Sequence, residues 1–305
     1  MSIKTRRGFT LIELLVVIAI LAILVGLIVV VAAAMLKQAK STKDMGNHRT
    51  IGQATWSFAA DNRGTLLHPR TEPTDSGTPS TQDQIDRFWV AAHGNDADGN
   101  ARIETVSGQQ VELLSSLKDG AAYQYIGDVT VYQSPLDETI GQIDQFVSGN
   151  PNLPTGRIRS YSLNAFVGVD WGADDWTYYE TAAPYWFGVN GNTAWRSAST
   201  LSQVPQPANT MCSIGEQDLN GRNLNGWLIN PITPNYYVDF PAFWNDNKVN
   251  VSYIDGSTGS IKLESDSLKE QWEQYGHNRP VSGAAVEYKK FKKIMLPGVI
   301  GSILD

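Results

Sequence analysis

Glu13 is the residue whose type and place most need a chemical account. It heads residues 14–36, LLVVIAILAILVGLIVVVAAAML, a run from Leu14 to Leu36 that carries no charge and is apolar apart from Gly26. A carboxylate taken into a bilayer is expensive, so it needs a partner or a place at the interface. Taken alone, the residues leave two readings open. Glu13 can sit at the interface near the positive end of a helix dipole. It can also pair with a cation. Phe9 lies four residues earlier, on the same helix face. The rest of the chain offers little bond chemistry. P-loop, GxSxG, HExxH and CxxC motifs are absent. His48, His68, His93 and His277 have no ligand spacing and read as surface or packing residues. Cys212, the single cysteine, lies in Thr210-Met211-Cys212-Ser213-Ile214 and reads as a buried strand position. One cysteine excludes an intrachain disulfide and a cysteine-based zinc site.

Calcium is the better metal question. Asp96 and Asp98, in Asn95-Asp96-Ala97-Asp98-Gly99-Asn100, have the spacing of the early ligands of a calcium loop. However, Gly94 holds the first ligand position and Thr105 the twelfth, so two oxygen donors are missing. Asp170, Asp174 and Asp175 form a second acidic group, and Asp218, Asn220 and Asn223 a third. All read first as solvated turns. Calcium at Asp96, Asp98, Asp218 or Asn220 is the secondary reading, and no other cofactor is expected.

The elements that must hold these residues follow from the hydropathy split. About 20 apolar residues span a bilayer core as a helix, so residues 14–36 suffice. Ahead of them Lys4, Arg6 and Arg7 make a basic flank, which stays in the cytoplasm by the positive-inside rule. Everything after the span then lies across the membrane. The whole chain of 305 residues has a net charge of -7, which argues against a nucleic-acid partner. An alternative is Ala32-Ala33-Ala34 as an ordinary signal-peptidase site releasing a protein at Met35. Against it stand the length of the apolar run and Glu13 at its start.

The segment GFTLIELLVVIAILAILVGL, residues 8–27, resembles the N-terminus of type IV prepilins and type II secretion pseudopilins. That pattern joins a short basic leader, a Gly, an aromatic residue, a Glu and an unbroken apolar helix. Gly8, Phe9 and Glu13 match it position for position. The resemblance implies cleavage between Gly8 and Phe9 by a prepilin peptidase, N-methylation of Phe9, and pairing of Glu13 with the Phe9 amine of a neighbouring subunit. The implied partners are that peptidase and methyltransferase, other pilin subunits and the bacterial inner membrane, with the head in the periplasm or on a surface filament. Many pilins carry a proline at the position of Val30; here Gly26 is the softer point. Some pseudopilin heads bind calcium, which is why the acidic loops matter.

After the span, Ile51, Ala54, Thr55 and Phe58 continue a helical stripe. No proline occurs before residue 69, and Asp61-Asn62-Arg63-Gly64 is a stop signal. One helix over 9–60, roughly 75 Å long at 1.5 Å per residue, is expected. The expected division is a cleaved leader 1–8, a transmembrane half 9–36, a continuation 37–60 packed on the head, and an extracytoplasmic head 61–305. Residues 70–84 and 148–157 read as exposed loops. Val129–Tyr132 reads as strand-like. Val249–Ile254, Asp255-Gly256 and Ser260–Leu263 read as a hairpin. The expected fold is therefore α+β, a long helix packed on an antiparallel sheet, as in pilins.

NHRTIGQATWSFAADNRG, SPLDE, RSYSLNAFVG and VNVSYIDG are similar to segments of a large bacterial pilin-like family with a His-x9-Asp-Gly signature. Asp255-Gly256 matches its second half. Asn245 stands where that family has His, and Ser134 where it has Cys. Of the chain's 30 aromatics, 17 lie between Tyr161 and Tyr253. They read chiefly as core; the alternative is a membrane-anchored or filament-tip module that binds glycan or protein through rings such as Trp171, Trp176 and Trp186. Tyr288–Ile294, with four lysines, reads as a solvated basic tail, with contact to lipid or an acidic neighbour as the alternative. The functional expectation is a structural filament subunit that is not an enzyme.

Overall fold

The computed structural model describes residues 9–75, 78–79, 81–106, 109–138, 140, 158–169, 197–217, 226–230, 234–276 and 279–297. The chain falls into two compact units, Met1–Thr42 and Lys43–Asp305. Helix α1 spans Leu11–Asp61. It passes Gly26 and Val30 without a break. Within the first unit its large apolar side chains, from Leu11 to Leu36, are exposed on every face. Its most apolar 18-residue stretch has a mean hydropathy of 3.6, long and apolar enough to cross a membrane.

The second unit is α+β. Its strands are β1 Thr74–Asp75, β2 Thr78–Pro79, β3 Ile103–Val106, β4 Gln109–Glu112, β5 Tyr161–Leu163, β6 Met211–Gln217, β7 Tyr236–Tyr237, β8 Phe240–Pro241, β9 Lys248–Tyr253, β10 Thr258–Lys262 and β11 Arg279–Pro280. Among the described residues, the helices after α1 are α2 Gln82–Ile85, α3 Leu114–Lys118, α4 Tyr123–Ile126, α5 Ser267–Tyr275 and α6 Ala285–Met295. The main sheet is antiparallel in the order β10-β9-β6-β5, with β8 added to the far end of β6.

The sheet separates two cores. On one side Val249 and Val251 of β9, Ile261 of β10, and Met211 and Ile214 of β6 pack with Trp227, Phe240, Leu268, Trp272 and Phe291. On the other, Ile51, Phe58 and Ala59 of α1 pack with Trp89, Tyr132, Tyr161, Leu163, Cys212 and Ile254. The alternation of β9 explains the division: its valines face α5 and α6, while Asn250 and Ser252 face α1. A bulge in β6 between Met211 and Ser213 lets two consecutive residues reach α1. Cys212 Sγ donates to Thr55 Oγ1 at 3.3 Å. Ser213 Oγ lies 2.8 Å from His48 Nδ1. A buried Arg159–Glu112 pair, with Nε to Oε2 and Nη2 to Oε1 both at 2.9 Å, ties the β3–β4 hairpin to the start of β5.

The β9–β10 hairpin forms as its sequence predicts, with Gly256 at a φ of +81° in the turn. Three expectations are corrected. Val129–Tyr132 is a 3-10 turn, because Asp128 caps it by accepting from Thr130 N at 2.8 Å. Residues 288–294 belong to α6, and Tyr288, Phe291 and Met295 enter the core at helical spacing. Residues 70–84 are not a loop throughout: Arg70 and Thr71 are buried, β1 and β2 pair, and Thr81 forms a capping box on α2. The expected loop at 148–157 lies outside the described residues.

Helix α1 approaches the hairpin closely at Gly52. A Cβ there would lie 3.3 Å from both Gly256 Cα and Tyr253 O. Gly52→Val is therefore expected to lower the stability of the head by about 1–3 kcal/mol through overpacking, read by denaturant unfolding of the full chain in detergent.

Candidate functional site

The N-terminus of α1 is a capping box. Thr10 N and Thr10 Oγ1 both donate to Glu13 Oε2 at 2.8 Å, and Glu13 N donates to Thr10 Oγ1 at 3.3 Å. The sequence carries the signal as Thr10-Leu11-Ile12-Glu13, a T-x-x-E pattern. Sequence reasoning used the charge of Glu13 and missed Thr10. Phe9 is 76% exposed.

A second constellation lies deep in the second unit, between α1 and the sheet. Asp44 is its centre. Asp44 Oδ1 accepts from Ser134 Oγ at 2.5 Å and from Tyr161 Oη at 2.7 Å, and Oδ2 accepts from Asn250 Nδ2 at 2.8 Å. One turn on, His48 is fully buried and leans on the Tyr161 ring, with centroids 4.5 Å apart. Its Nδ1 meets Ser213 Oγ, which in turn lies 2.6 Å from Ser252 Oγ. Its Nε2 stands 4.0 Å from Asp44 Oδ2 and has no hydrogen-bond partner among the described residues. Asn47 donates to Gln133 O at 2.8 Å. Ser160 Oγ accepts from Ser134 N at 2.9 Å and donates to Asp137 Oδ2 at 2.8 Å. Asp44 and His48 line a cavity of about 10 Å³, the size of one water molecule.

The order Asp44–His48–Ser213 has the residue types of a nucleophilic triad, but Ser213 is fully buried. Burial holds His48 neutral by pushing its pKa down to about 4, against a smaller upward pull from Asp44. Burial, and then the Asp44 charge, push the Tyr161 hydroxyl well above its ordinary value. The arrangement fastens helix to sheet.

A family model described as the prokaryotic N-terminal methylation motif matches residues 3–35. The chain carries that methylation motif. With the long apolar helix behind it, the motif fits a type IV prepilin- or pseudopilin-like protein. The methylation motif is a structural, pilin-type signature, not an enzyme's, and together with the apolar helix it is consistent with membrane anchoring. No curated protein and no solved structure matches the chain.

Outside the methylation motif, segments 47–64, 134–138, 159–168 and 249–256 meet at the buried network. They supply Asn47 and His48, Ser134 and Asp137, Ser160 and Tyr161, and Asn250 and Ser252 to it. Ser134 uses its hydroxyl as a donor to Asp44. Asn245 and Asp255 flank β9 at opposite ends and form no common site. Asp96 closes its own turn by accepting from Asp98 N at 3.0 Å and Asn100 N at 2.8 Å. Among the described residues, no group of three or more acidic, His or Cys side chains could hold a metal ion. Burial pushes the Cys212 thiol up to about 11, which keeps it unreactive. His68 is buried and its Nδ1 accepts from Arg70 N at 3.1 Å; His93 is half-buried. Gly8, Asp170, Trp171, Asp174, Asp175, Trp176, Trp186, Asp218, Asn220, Asn223 and His277 lie outside the described residues.

Two outcomes follow. Asp44→Ala leaves two hydroxyls and an amide without their acceptor and is expected to cost about 2–5 kcal/mol of head stability in denaturant unfolding. The unfolded His48 imidazole takes its proton near pH 6.5 and the folded one near pH 4. Between those values the unfolded state holds more protons. Stability should therefore be full above pH 6.5 and fall by about 3 kcal/mol as the pH drops to about 4. In His48→Gln that part of the fall should be absent.

Proposed function

We propose that the protein is a structural subunit of a type IV pilus-like or type II secretion pseudopilus filament, and not an enzyme. The carrying observation is the methylation motif at residues 3–35, joined to an apolar helix exposed on all sides from Leu11 to Leu36. In this reading the basic leader stays in the cytoplasm, the helix is held in the inner membrane, and the head lies in the periplasm until assembly. A prepilin peptidase removes residues 1–8 and the new Phe9 amine is methylated. The helices then leave the lipid and pack against one another.

Glu13 gives that packing a register. Its Oε2 is held by Thr10 of the same chain, which leaves Oε1 for the ammonium of a neighbouring subunit. A carboxylate in an apolar bundle is stable only when paired, so subunits out of register are disfavoured.

Coexpression with a prepilin peptidase, followed by mass spectrometry, tests the processing step. The expected product begins at Phe9 and carries one extra methyl group. Glu13→Ala should still be cut yet fail to enter filaments. An intact Met1 in the presence of active peptidase, or a start at Met35, contradicts the reading.

A further inference from the structure

Within the second unit a groove of about 460 Å³ runs between α1 and the β9–β10 turn. That volume is in the range of small-molecule sites, about 300–1,000 Å³. Thr50, Gln53, Trp56 and Ser57 line it from α1, with Tyr125 and Asp255 across from them. Trp56 is 43% exposed, although it sits on a helix whose neighbouring Ile51, Ala54 and Phe58 are buried. Among the described residues of this unit, the exposed large hydrophobic side chains are Trp56, Tyr275 and Val286. The indole is thus a single flat apolar surface on an otherwise polar ridge. A protein partner would be expected to meet a broader apolar patch.

The polar groups around the ring are available. Asp255 Oδ1 is taken by its own turn, accepting from Ser257 N at 2.9 Å and Ser257 Oγ at 2.6 Å. Asp255 Oδ2 and the Gln53 amide have no hydrogen bond among the described residues. The walls are fixed. Tyr125 Oη donates to Asp61 Oδ2 at 2.9 Å, and Gly52 packs directly on Gly256. The lining carries a carboxylate and no cationic side chain, so anionic ligands are repelled.

We propose that this groove binds a neutral saccharide, with a pyranose ring laid on the Trp56 indole and its hydroxyls held by Asp255 Oδ2 and Gln53. Sugars combine an apolar C–H face with hydroxyls that bond well to planar amides and carboxylates, and an exposed ring beside one carboxylate and one amide matches both needs. The lining residues named here all come from outside the aromatic segment 171–187. The site also stands whether or not the chain forms filaments.

The test uses the full chain in detergent micelles on an array of neutral, uronic-acid and sulfated oligosaccharides, followed by calorimetric titration with cellohexaose and chitohexaose. The expected result is binding to neutral glycans only. Trp56→Ala should weaken it at least tenfold, about 1.4 kcal/mol, with an unchanged melting curve. Asp255→Asn should weaken it severalfold, and Trp56→Phe should retain most of it. If Trp56→Ala does not fold, the Asp255→Asn and Trp56→Phe pair carries the comparison. Binding to no neutral glycan, equal binding by the variants, or preference for acidic glycans overturns the proposal. So does self-association of the wild type that Trp56→Ala abolishes, which would make the groove a contact between copies of the chain.

Discussion

A carboxylate removed from water must be given donors, and much of the head is arranged around the donors given to Asp44. They come from segments far apart in sequence: Ser134 just after the 3-10 turn at Val129–Tyr132, Tyr161 on β5 and Asn250 on β9. None is a charge, so Asp44 is satisfied by hydrogen bonds in place of a salt bridge. Losing any donor leaves part of a buried charge unpaired, a costly state. The requirement fixes the position of α1 along the sheet. Asp44 meets Asn250, His48 meets Ser213, Thr55 meets Cys212, and Gly52 lies on Gly256. A helix held only by apolar contacts could slide by a turn at little cost; this one cannot without orphaning its carboxylate. The hairpin wall of the Trp56 groove depends on the same registration.

The first unit faces the opposite constraint. From Leu11 to Leu36 the helix satisfies its own backbone and exposes apolar side chains around its full circumference. Such a surface has no stable state in water. It requires lipid or other apolar helices, and both environments accept the same residues. Glu13 is the exception within this surface, held in a capping box by Thr10. In the proposed filament reading, the chain must be soluble in a membrane first and in a bundle of its own copies later. A uniformly apolar helix with one carboxylate at its head meets both conditions.

Legibility in the sequence followed the chemistry of each stripe. Ile51, Ala54, Thr55 and Phe58 were readable because apolar residues at helical spacing have one common meaning. Asp44, Asn47 and His48 extend the same stripe toward the N-terminus. They were not readable, because polar residues at that spacing ordinarily mark a solvated face. On β9 the alternation of Val249-Asn250-Val251-Ser252 gave the strand but not its surroundings: its polar side is buried too, against α1. Val129–Tyr132 has strand-forming side chains, yet one capping carboxylate at Asp128 turns it into a 3-10 turn. In α6 the lysines drew attention from Tyr288, Phe291 and Met295. Lys292 lies over the Tyr288 ring, 5.6 Å from its centroid, so its own stem is part of the packing. The methylation motif was legible because it couples a carboxylate, a glycine–aromatic pair and a long apolar run at fixed spacing.

The central claim is that the apolar helix of this chain ends in a bundle of its own kind. Electron cryomicroscopy of filaments sheared from cells expressing the tagged chain tests it most directly. The account predicts a helical array in which residues 9–36 of successive copies form the core, with density joining Glu13 to the N-terminus of a neighbour. A chain recovered only from the membrane fraction, dispersed as single copies while peptidase and assembly machinery are active, would contradict it.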